Sequence, residues 1–241
     1  MLNYSYKLLG VSAGRCATYG KLYSLDQTKS VVGKNKLILL AEMHANPPVV
    51  ALQKELQAEL LKNEKVNLHV FLEHFSFEQQ HLLDGYQKGE LTLEELNAKY
   101  KEIGTENHDI MKYKEALEHA RENSDRIRLV GGFIPRTYAR LVMRESEESA
   151  IKAALEKEYI PKGLTSFTSS EFHYNMFESM ISGRNMFDAN LQPKDNFRKL
   201  FKAQLIKDYS MAHKVSSYIR EHNEPNDKYL VVSGKGHMQY F

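Results

Sequence analysis

The sequence predicts an α/β fold, with a mainly parallel sheet flanked by helices and a helical insertion over the C-terminal strand ends. Three short apolar segments predict this fold. Each segment ends in ionisable residues, which is typical of buried strands that carry a functional site at their C-terminal ends. These segments are residues 36–44, 66–75 and 229–237. A segment with helical periodicity separates the first two, which makes a βαβ unit and hence a parallel strand pair.

The elements follow in order along the chain. Residues 1–35 have no strong periodicity and are predicted to form an N-terminal extension with a short hairpin or an arm. A strand at 36–43 is followed by Pro47 and Pro48, which suit the first turn of a helix. The next strands are predicted at 66–73 and 127–133, and a helix runs from Pro135 to about residue 154.

The rest of the chain is predicted to be largely helical. Residues 76–122 are rich in Glu, Lys, Gln and Leu and form the helical insertion, with breaks at Gly89 and Gly104. The remaining predicted elements are helices at 77–86, 91–103, 110–122, 171–182 and 196–222, a loop at 163–170, and a last strand at 228–233. Residues 36–241 are predicted to form a single domain.

Composition excludes several classes of protein. Hydrophobic content is 42% and charged content 27%, as in ordinary soluble globular proteins. A net charge of +2 without a basic stripe argues against a nucleic-acid partner, and no apolar segment has the length of a membrane span. Cys16 is the single cysteine, which excludes disulfides and cysteine-based metal sites. The N-terminus does not resemble a secretory signal, so we expect a cytoplasmic location, with an organelle-targeting segment as the alternative.

Glu42 and His44 end the first strand and, two residues apart, point to the same side of it. A carboxylate beside an imidazole suits a divalent metal ion or an acid/base pair. A helix-capping glutamate beside a surface histidine would explain the pair equally well.

Glu73 ends an otherwise apolar segment, where partial desolvation is expected to raise its pKa. The alternatives are that it caps the following helix or pairs with Arg136. Its neighbour His74 is expected to point away from the cluster and to be structural.

Two further features point to the same edge. His237 follows Gly234 and Gly236, which are expected to adopt positive φ or to allow close backbone approach, unless they form a simple glycine turn. Gln204 and Asp208 lie four residues apart on the longest helix and share a face. That face is predicted to meet the polar cluster, with a solvated helix edge as the alternative.

Five stretches resemble, in order, the motifs of the ChaN-like haem-binding family within the Tiki/erythromycin-esterase-like superfamily. They are LLAEMHANPP (39–48), FLEHF (71–75), residues 113–136, AQLIKDYSMA (203–212) and VVSGKGH (231–237). The resemblance implies a haem- or iron-binding protein whose ligand lies at the C-terminal strand ends, with haem ligated by a tyrosine and a homodimer formed around paired haems.

The resemblance and the spacing together assign candidate residues. Arg136, Gln204 and Asp208 are predicted to orient or neutralise the cofactor, and Tyr174, Tyr209 and Tyr240 are candidate haem ligands. The wider superfamily implies the alternative of a hydrolase, with Glu42, His44, Glu73 and His237 as catalytic residues acting on a small molecule. A divalent metal ion would then be held by Glu42, His44 and His237. A scaffold without catalysis is the third alternative, so the sequence leaves open whether the protein is an enzyme.

The sequence departs from the family pattern at four places. Ala41 replaces the usual glycine before Glu42, and His74 replaces an apolar residue. Gly14 and Arg15 before Cys16 do not fit a lipobox, so no lipid anchor is expected. Relatives continue beyond the equivalent of His237, so we expect either that the chain is a fragment or that the edge of the site is rebuilt.

Overall fold

A computed structural model describes residues 6–8, 21–23, 25–183 and 195–238. Near the N-terminus, β1 (Tyr6–Leu8) and β2 (Lys21–Tyr23) pair antiparallel. This pairing agrees with the hairpin predicted within residues 1–35. The following helix α1 (Leu25–Lys34) was not expected from the sequence.

The larger sheet of the described chain has four parallel strands. They are β3 (Leu37–Glu42), β4 (Asn67–Ser76), β5 (Ile127–Phe133) and β6 (Asp227–Gly234), in the order β3-β6-β4-β5. The predicted α/β fold with a parallel sheet is therefore confirmed. Because all four strands run the same way, their C-terminal ends meet at one edge of the sheet.

Helices cover both faces of this sheet. Their bounds are α2 (Pro47–Leu61), α3 (Gln80–Gln87), α4 (Leu93–Ile103), α5 (Lys114–Glu122), α6 (Arg136–Arg144), α7 (Glu147–Glu156), α8 (Glu171–Ser182), α9 (Asp195–Glu221) and α10 (Lys235–Met238). Short 3₁₀ turns at Phe77–Gln79 and Ile110–Tyr113 precede α3 and α5. In the insertion, α3 to α5 pack on one face of the sheet, and residues 106–109 reach the C-terminal strand ends.

The core lies on both sides of the sheet. Val70 and Val232 pack towards α2 and the insertion, whereas Phe71 and Val231 pack towards α9. A sheet buried on both faces requires apolar residues at successive positions, which explains why these strands read as continuous apolar segments. A further apolar cluster joins α6, α7, α8 and α9 to one another.

The predicted single helix from Pro135 to about residue 154 is wrong. Helix α6 ends at Arg144, and α7 starts after Ser146, whose hydroxyl accepts a hydrogen bond from the Ser149 N–H at 3.1 Å. A serine at the N-cap satisfies a backbone donor that the helix leaves free, so it favours a new start over continuation.

Candidate functional site

The C-terminal edge of the sheet carries a polar cavity of about 430 Å³. Its walls come from the ends of β3, β4 and β5, the loop of the insertion, and α9 and α10. The lining residues are His44, Ala45, Glu73, Glu106, Asn107, His108, Asp109, Tyr113, Phe133, Ile134, Arg136, Lys207 and His237. Parallel topology places the strand-end residues together. Three of the four predicted catalytic residues, His44, Glu73 and His237, line the cavity, and the fourth, Glu42, is bound to His44.

Glu42 is a buried hydrogen-bond acceptor beneath the cavity. Its Oε1 accepts from His44 Nδ1, His74 Nε2 and the Tyr113 hydroxyl, each at 2.8 Å, and its Oε2 accepts from Gln53 Nε2 at 2.5 Å. Burial raises the pKa of Glu42, but hydrogen bonds from the two imidazoles outweigh it and hold the pKa at about 2. Glu42 is therefore ionised, and its four bonds fix the side chains around it.

Glu73 joins two imidazoles. Its Oε1 lies 3.6 Å from His44 Nε2 and 3.4 Å from His237 Nε2, and its Oε2 accepts a hydrogen bond from the Gly234 N–H. The expectation of a raised pKa for Glu73 is wrong. Burial does act to raise it, but the charge and hydrogen bonds of His237 and His44 hold the pKa well below its usual range.

The same carboxylates favour protonated imidazoles. Hydrogen bonds to Glu42 and Glu73 raise the pKa of His44 to about 9. Burial lowers the pKa of His237, but the charge of Glu73 and the hydrogen bond to Asp208 raise it to about 9. At neutral pH the cluster therefore holds ionised carboxylates between imidazolium groups.

Helix α9 holds His237 from the other side. His237 Nδ1 donates to Asp208 Oδ1 at 2.5 Å, and the side-chain amide of Gln204 lies 2.7 Å from the same ring nitrogen. The prediction that Gln204 and Asp208 face the polar cluster is confirmed. Asp208 is buried, and burial raises its pKa.

His74 does point the other way from Glu73, but the expectation that it lies outside the cluster is wrong. It lies with Leu72 on the face of β4 towards Gln53 and Tyr113, whereas Glu73 contacts His237 on the other face. Glu42, at the end of β3, lies on the same face as His74 and accepts its hydrogen bond.

The expected positive φ at Gly234 and Gly236, and the simple glycine turn, are also wrong. Residues 235–238 form the helical turn α10, and positive φ among the described glycines occurs at Gly89, Gly104, Gly163 and Gly183. The expected close approach is present instead. A Cβ on Gly234 would lie 2.8 Å from His44 Nε2, so the missing side chain makes room for the imidazole.

Charged residues of both signs complete the lining of the cavity. Arg136 and Lys207 line it together with Glu106 and Asp109, and the backbone N–H of Arg136 donates to Glu106 Oε1 at 2.8 Å. Burial lowers the pKa of the nearby His108 to about 3, so its imidazole is neutral at neutral pH.

Two of the three predicted tyrosine ligands, Tyr174 and Tyr209, are not brought to this cavity. Tyr174 is buried in the apolar cluster around Phe201, with 5.4 Å between the two ring centroids. The Tyr209 hydroxyl donates to the Thr168 carbonyl at 3.0 Å. Tyr240 lies outside the described residues.

The structure adds residues that the sequence did not single out. They are Gln53, Glu106, His108, Tyr113 and Lys207. Gln53 had a usable signal, since it is a polar residue on the buried face of α2, next to Leu52. His108 had none, because it lies in an irregular segment before α5.

Comparisons with known proteins identify the family and a similar fold. Residues 30–241 match the sequence model of the family described as "Haem-binding uptake, Tiki superfamily, ChaN". Among solved structures, the fold is similar to "Cofacial heme binding to ChaN of Campylobacter jejuni", with a TM-score of 0.56 and 19% identity over 91% of this chain and 82% of that one. No curated protein matches the sequence. Within the described residues, no helix is both long and apolar enough to cross a membrane.

Proposed function

The chain belongs to the ChaN family of haem-binding uptake proteins in the Tiki superfamily, and we propose that it binds haem in the cavity at the C-terminal edge of its sheet. Family membership supports the ligand, and the residues of the cavity support its position. A volume of about 430 Å³ lies within the usual range of small-molecule sites. When bound there, haem supplies an iron centre that accepts an axial nitrogen or oxygen ligand.

His44 is the observation on which this proposal depends. Its side chain is 40% exposed at the cavity, whereas the imidazole of His74 is buried. Its Nδ1 is bound to the carboxylate of Glu42, which leaves Nε2 on the cavity side, 3.6 Å from Glu73. A carboxylate behind a histidine fixes the ring and increases its basicity as an iron ligand. Because only a deprotonated nitrogen can bind iron, binding through Nε2 releases the proton that His44 carries there at neutral pH.

Two basic side chains of the cavity suit the carboxylate groups of haem. Arg136 and Lys207 line the cavity, and a guanidinium pairs well with a propionate. Phe133 and Ile134 supply apolar contact in the same cavity. Tyr174 and Tyr209 are not part of the proposed site, because both lie outside this cavity.

A haem titration followed at the Soret band tests the proposal. We expect a saturable shift, and we expect His44→Ala to change the position of the bound Soret band because the axial ligand is lost. Arg136→Ala should weaken haem binding by about tenfold, the value of one charge-assisted hydrogen bond.

The exposed His81, on α3, provides the matched control, since it lies outside the cavity. His81→Ala should bind haem like the parent protein. Absence of a saturable shift in the parent protein would remove the proposed function. A Soret band that is identical in His44→Ala would leave haem binding in place and remove His44 as the ligand.

A homodimer is part of the proposal. The similar solved structure from Campylobacter jejuni is one of cofacial haem binding, and two chains that each present a haem at an exposed edge could bring the haems face to face. Sedimentation with and without haem tests this directly. We expect haem to increase the dimer fraction, and a monomer under both conditions would contradict it.

Hydrolysis is the second candidate, favoured by the polarity of the cavity. The ionised Glu73 could accept a proton from an attacking water molecule, and the imidazolium of His44 or His237 could stabilise the negative charge that develops on a substrate carbonyl. Ester hydrolysis that disappears in Glu73→Gln, with the fold retained, would support this role. If neither haem binding nor hydrolysis is found, the non-catalytic scaffold remains.

A further inference from the structure

We propose that His44, His74 and His108 bind a divalent transition-metal ion such as Zn²⁺ in the haem-free protein. One ring nitrogen of each residue lies within 4.8 Å of those of the other two. The three residues come from separate parts of the fold: the end of β3, strand β4, and the irregular segment before α5. The proposal does not depend on haem binding.

Glu42 prepares two of these imidazoles for a metal ion. Its Oε1 accepts from His44 Nδ1 and from His74 Nε2, so one carboxylate holds both rings in place. A metal ion binds the deprotonated form of imidazole, so an ion that displaces these protons keeps the carboxylate of Glu42 as a neighbouring negative charge. Glu42 is itself fixed by Tyr113 and Gln53, so it can hold both rings in place.

His108 completes the set from a part of the chain that can adjust. Its ring centroid lies 4.7 Å from that of His44 and 4.9 Å from that of His74. Zinc–nitrogen bonds of about 2.0–2.1 Å place tetrahedral ligand nitrogens about 3.4 Å apart. The nitrogens therefore need to approach one another by up to about 1.4 Å, and side-chain rotation of His108 in its irregular segment supplies part of this movement.

The surroundings suit an ion of intermediate softness. Three imidazoles favour Zn²⁺, Co²⁺, Ni²⁺ or Cu²⁺ over Mg²⁺ and Ca²⁺, which prefer oxygen ligands. The carboxylate of Glu73, 3.6 Å from His44 Nε2, adds negative charge next to the proposed ion. The cavity also leaves space for a fourth ligand, as metal sites that bind small molecules do.

This ligand set differs from the one predicted from the sequence, which consisted of Glu42, His44 and His237. In the structure, Glu42 already accepts four hydrogen bonds, and His237 Nδ1 is bound to Asp208. Loss of His108 should therefore weaken metal binding at the site proposed from the structure, and it should not affect a site formed by Glu42, His44 and His237.

Zinc titration of the chelator-treated, haem-free protein by calorimetry tests the proposal. We expect one Zn²⁺ per chain. His108→Ala should lower the affinity by about 100-fold or more, because loss of even an outer-shell partner typically costs about 10–100-fold. His81→Ala should bind Zn²⁺ like the parent protein, and circular dichroism should show that both variants are folded.

X-ray absorption at the zinc edge gives the answer if His108→Ala does not fold. The unaltered protein should show scattering from three imidazole rings around the zinc. Two imidazoles or fewer, or unchanged zinc affinity in a folded His108→Ala, would overturn the proposal. Because haem is absent from both experiments, failure of haem binding would not affect their outcome.

Discussion

The two ends of the parallel sheet both carry polar cavities, but their polar groups are used differently. The cavity at the N-terminal end is the larger, at about 830 Å³ against about 430 Å³. There, Arg126 donates to the backbone carbonyls of Leu61, Asn63 and Val66. Its guanidinium therefore holds the backbone between α2 and β4 in place. At the C-terminal end, the side chains bind one another and leave imidazole nitrogens beside the cavity.

Histidines at the two ends of the sheet also differ in the direction of their pKa shifts. His69, at the N-terminal end, stacks on Tyr229 with 5.1 Å between ring centroids, and burial lowers its pKa. His44, at the other end, lies between two carboxylates that raise its pKa to about 9. Cavity volume alone therefore does not identify a functional site. The arrangement of charge around side chains that remain accessible identifies it better.

The largest expected effect comes from removing the acceptor at the C-terminal end. Glu42→Ala leaves the partners of a buried carboxylate unpaired, so we expect the free energy of unfolding to fall by roughly 3–5 kcal/mol. Asp84→Ala, at the other end, breaks a partly exposed contact to Arg128 at 3.3 Å and should cost less than about 1 kcal/mol. Urea denaturation of both variants measures the difference. Equal losses would remove the distinction between the two ends.

The stability of the fold should depend on pH through His237. The rise in the pKa of His237 from 6.5 to about 9 corresponds to roughly 3 kcal/mol, since one pKa unit is worth about 1.4 kcal/mol. Because the pKa is raised on folding, this stability is fully present below pH 6.5 and is lost as the pH rises through 9. His69 should show the opposite sign, because a lowered pKa destabilises the fold as the pH falls.

Unfolding measured in urea from pH 6 to pH 10, with a chelator present, tests this prediction. The difference in stability between the parent protein and His237→Gln should shrink as the pH rises. A difference that is constant across this range would show that the charge of His237 does not stabilise the fold.

The backbone of Gly234, at the end of β6, lies close to the imidazole of His44. A methyl group in Gly234→Ala would lie 2.8 Å from His44 Nε2, so we expect a loss of about 1–3 kcal/mol from overpacking. Haem binding should weaken as well, because the imidazole must shift. Gly33→Ala is the matched control, since its new methyl group meets nothing within 4 Å and lies in helix α1. Thermal unfolding should separate the two variants, and similar shifts would contradict the predicted crowding.

The smallest effect is expected at a tyrosine outside the cavity. Tyr209→Phe removes a hydrogen bond to the Thr168 carbonyl, which should cost about 0.5–1.5 kcal/mol. The haem titration should be unchanged, because this hydroxyl does not line the cavity. A changed Soret band in the folded variant would restore the tyrosine ligand implied by the family resemblance.

The strands and much of the cluster could be predicted because they depend on local patterns. Apolar segments ending in Glu42, Glu73 or His237 indicate buried strands, and a parallel sheet brings their ends together. The spacing of Gln204 and Asp208 likewise predicted a face towards the cluster, and both contact His237.

The remainder depends on geometry that no local pattern encodes. His74 joins the cluster because Glu42 lies on the same face of the sheet, and the position of His108 follows from the path of a loop. The reversed pKa shift of Glu73 follows from imidazoles that approach from two other elements. Burial alone would raise this pKa, so the prediction failed because the partners were unknown.

Iron-edge anomalous diffraction from crystals of the haem complex tests the central claim most directly. We expect an iron peak at the C-terminal edge of the sheet, within bonding distance of His44 Nε2, with Arg136 beside the haem carboxylates. An iron peak at the N-terminal end, beside Arg126 and His69, or against Tyr209, would contradict it.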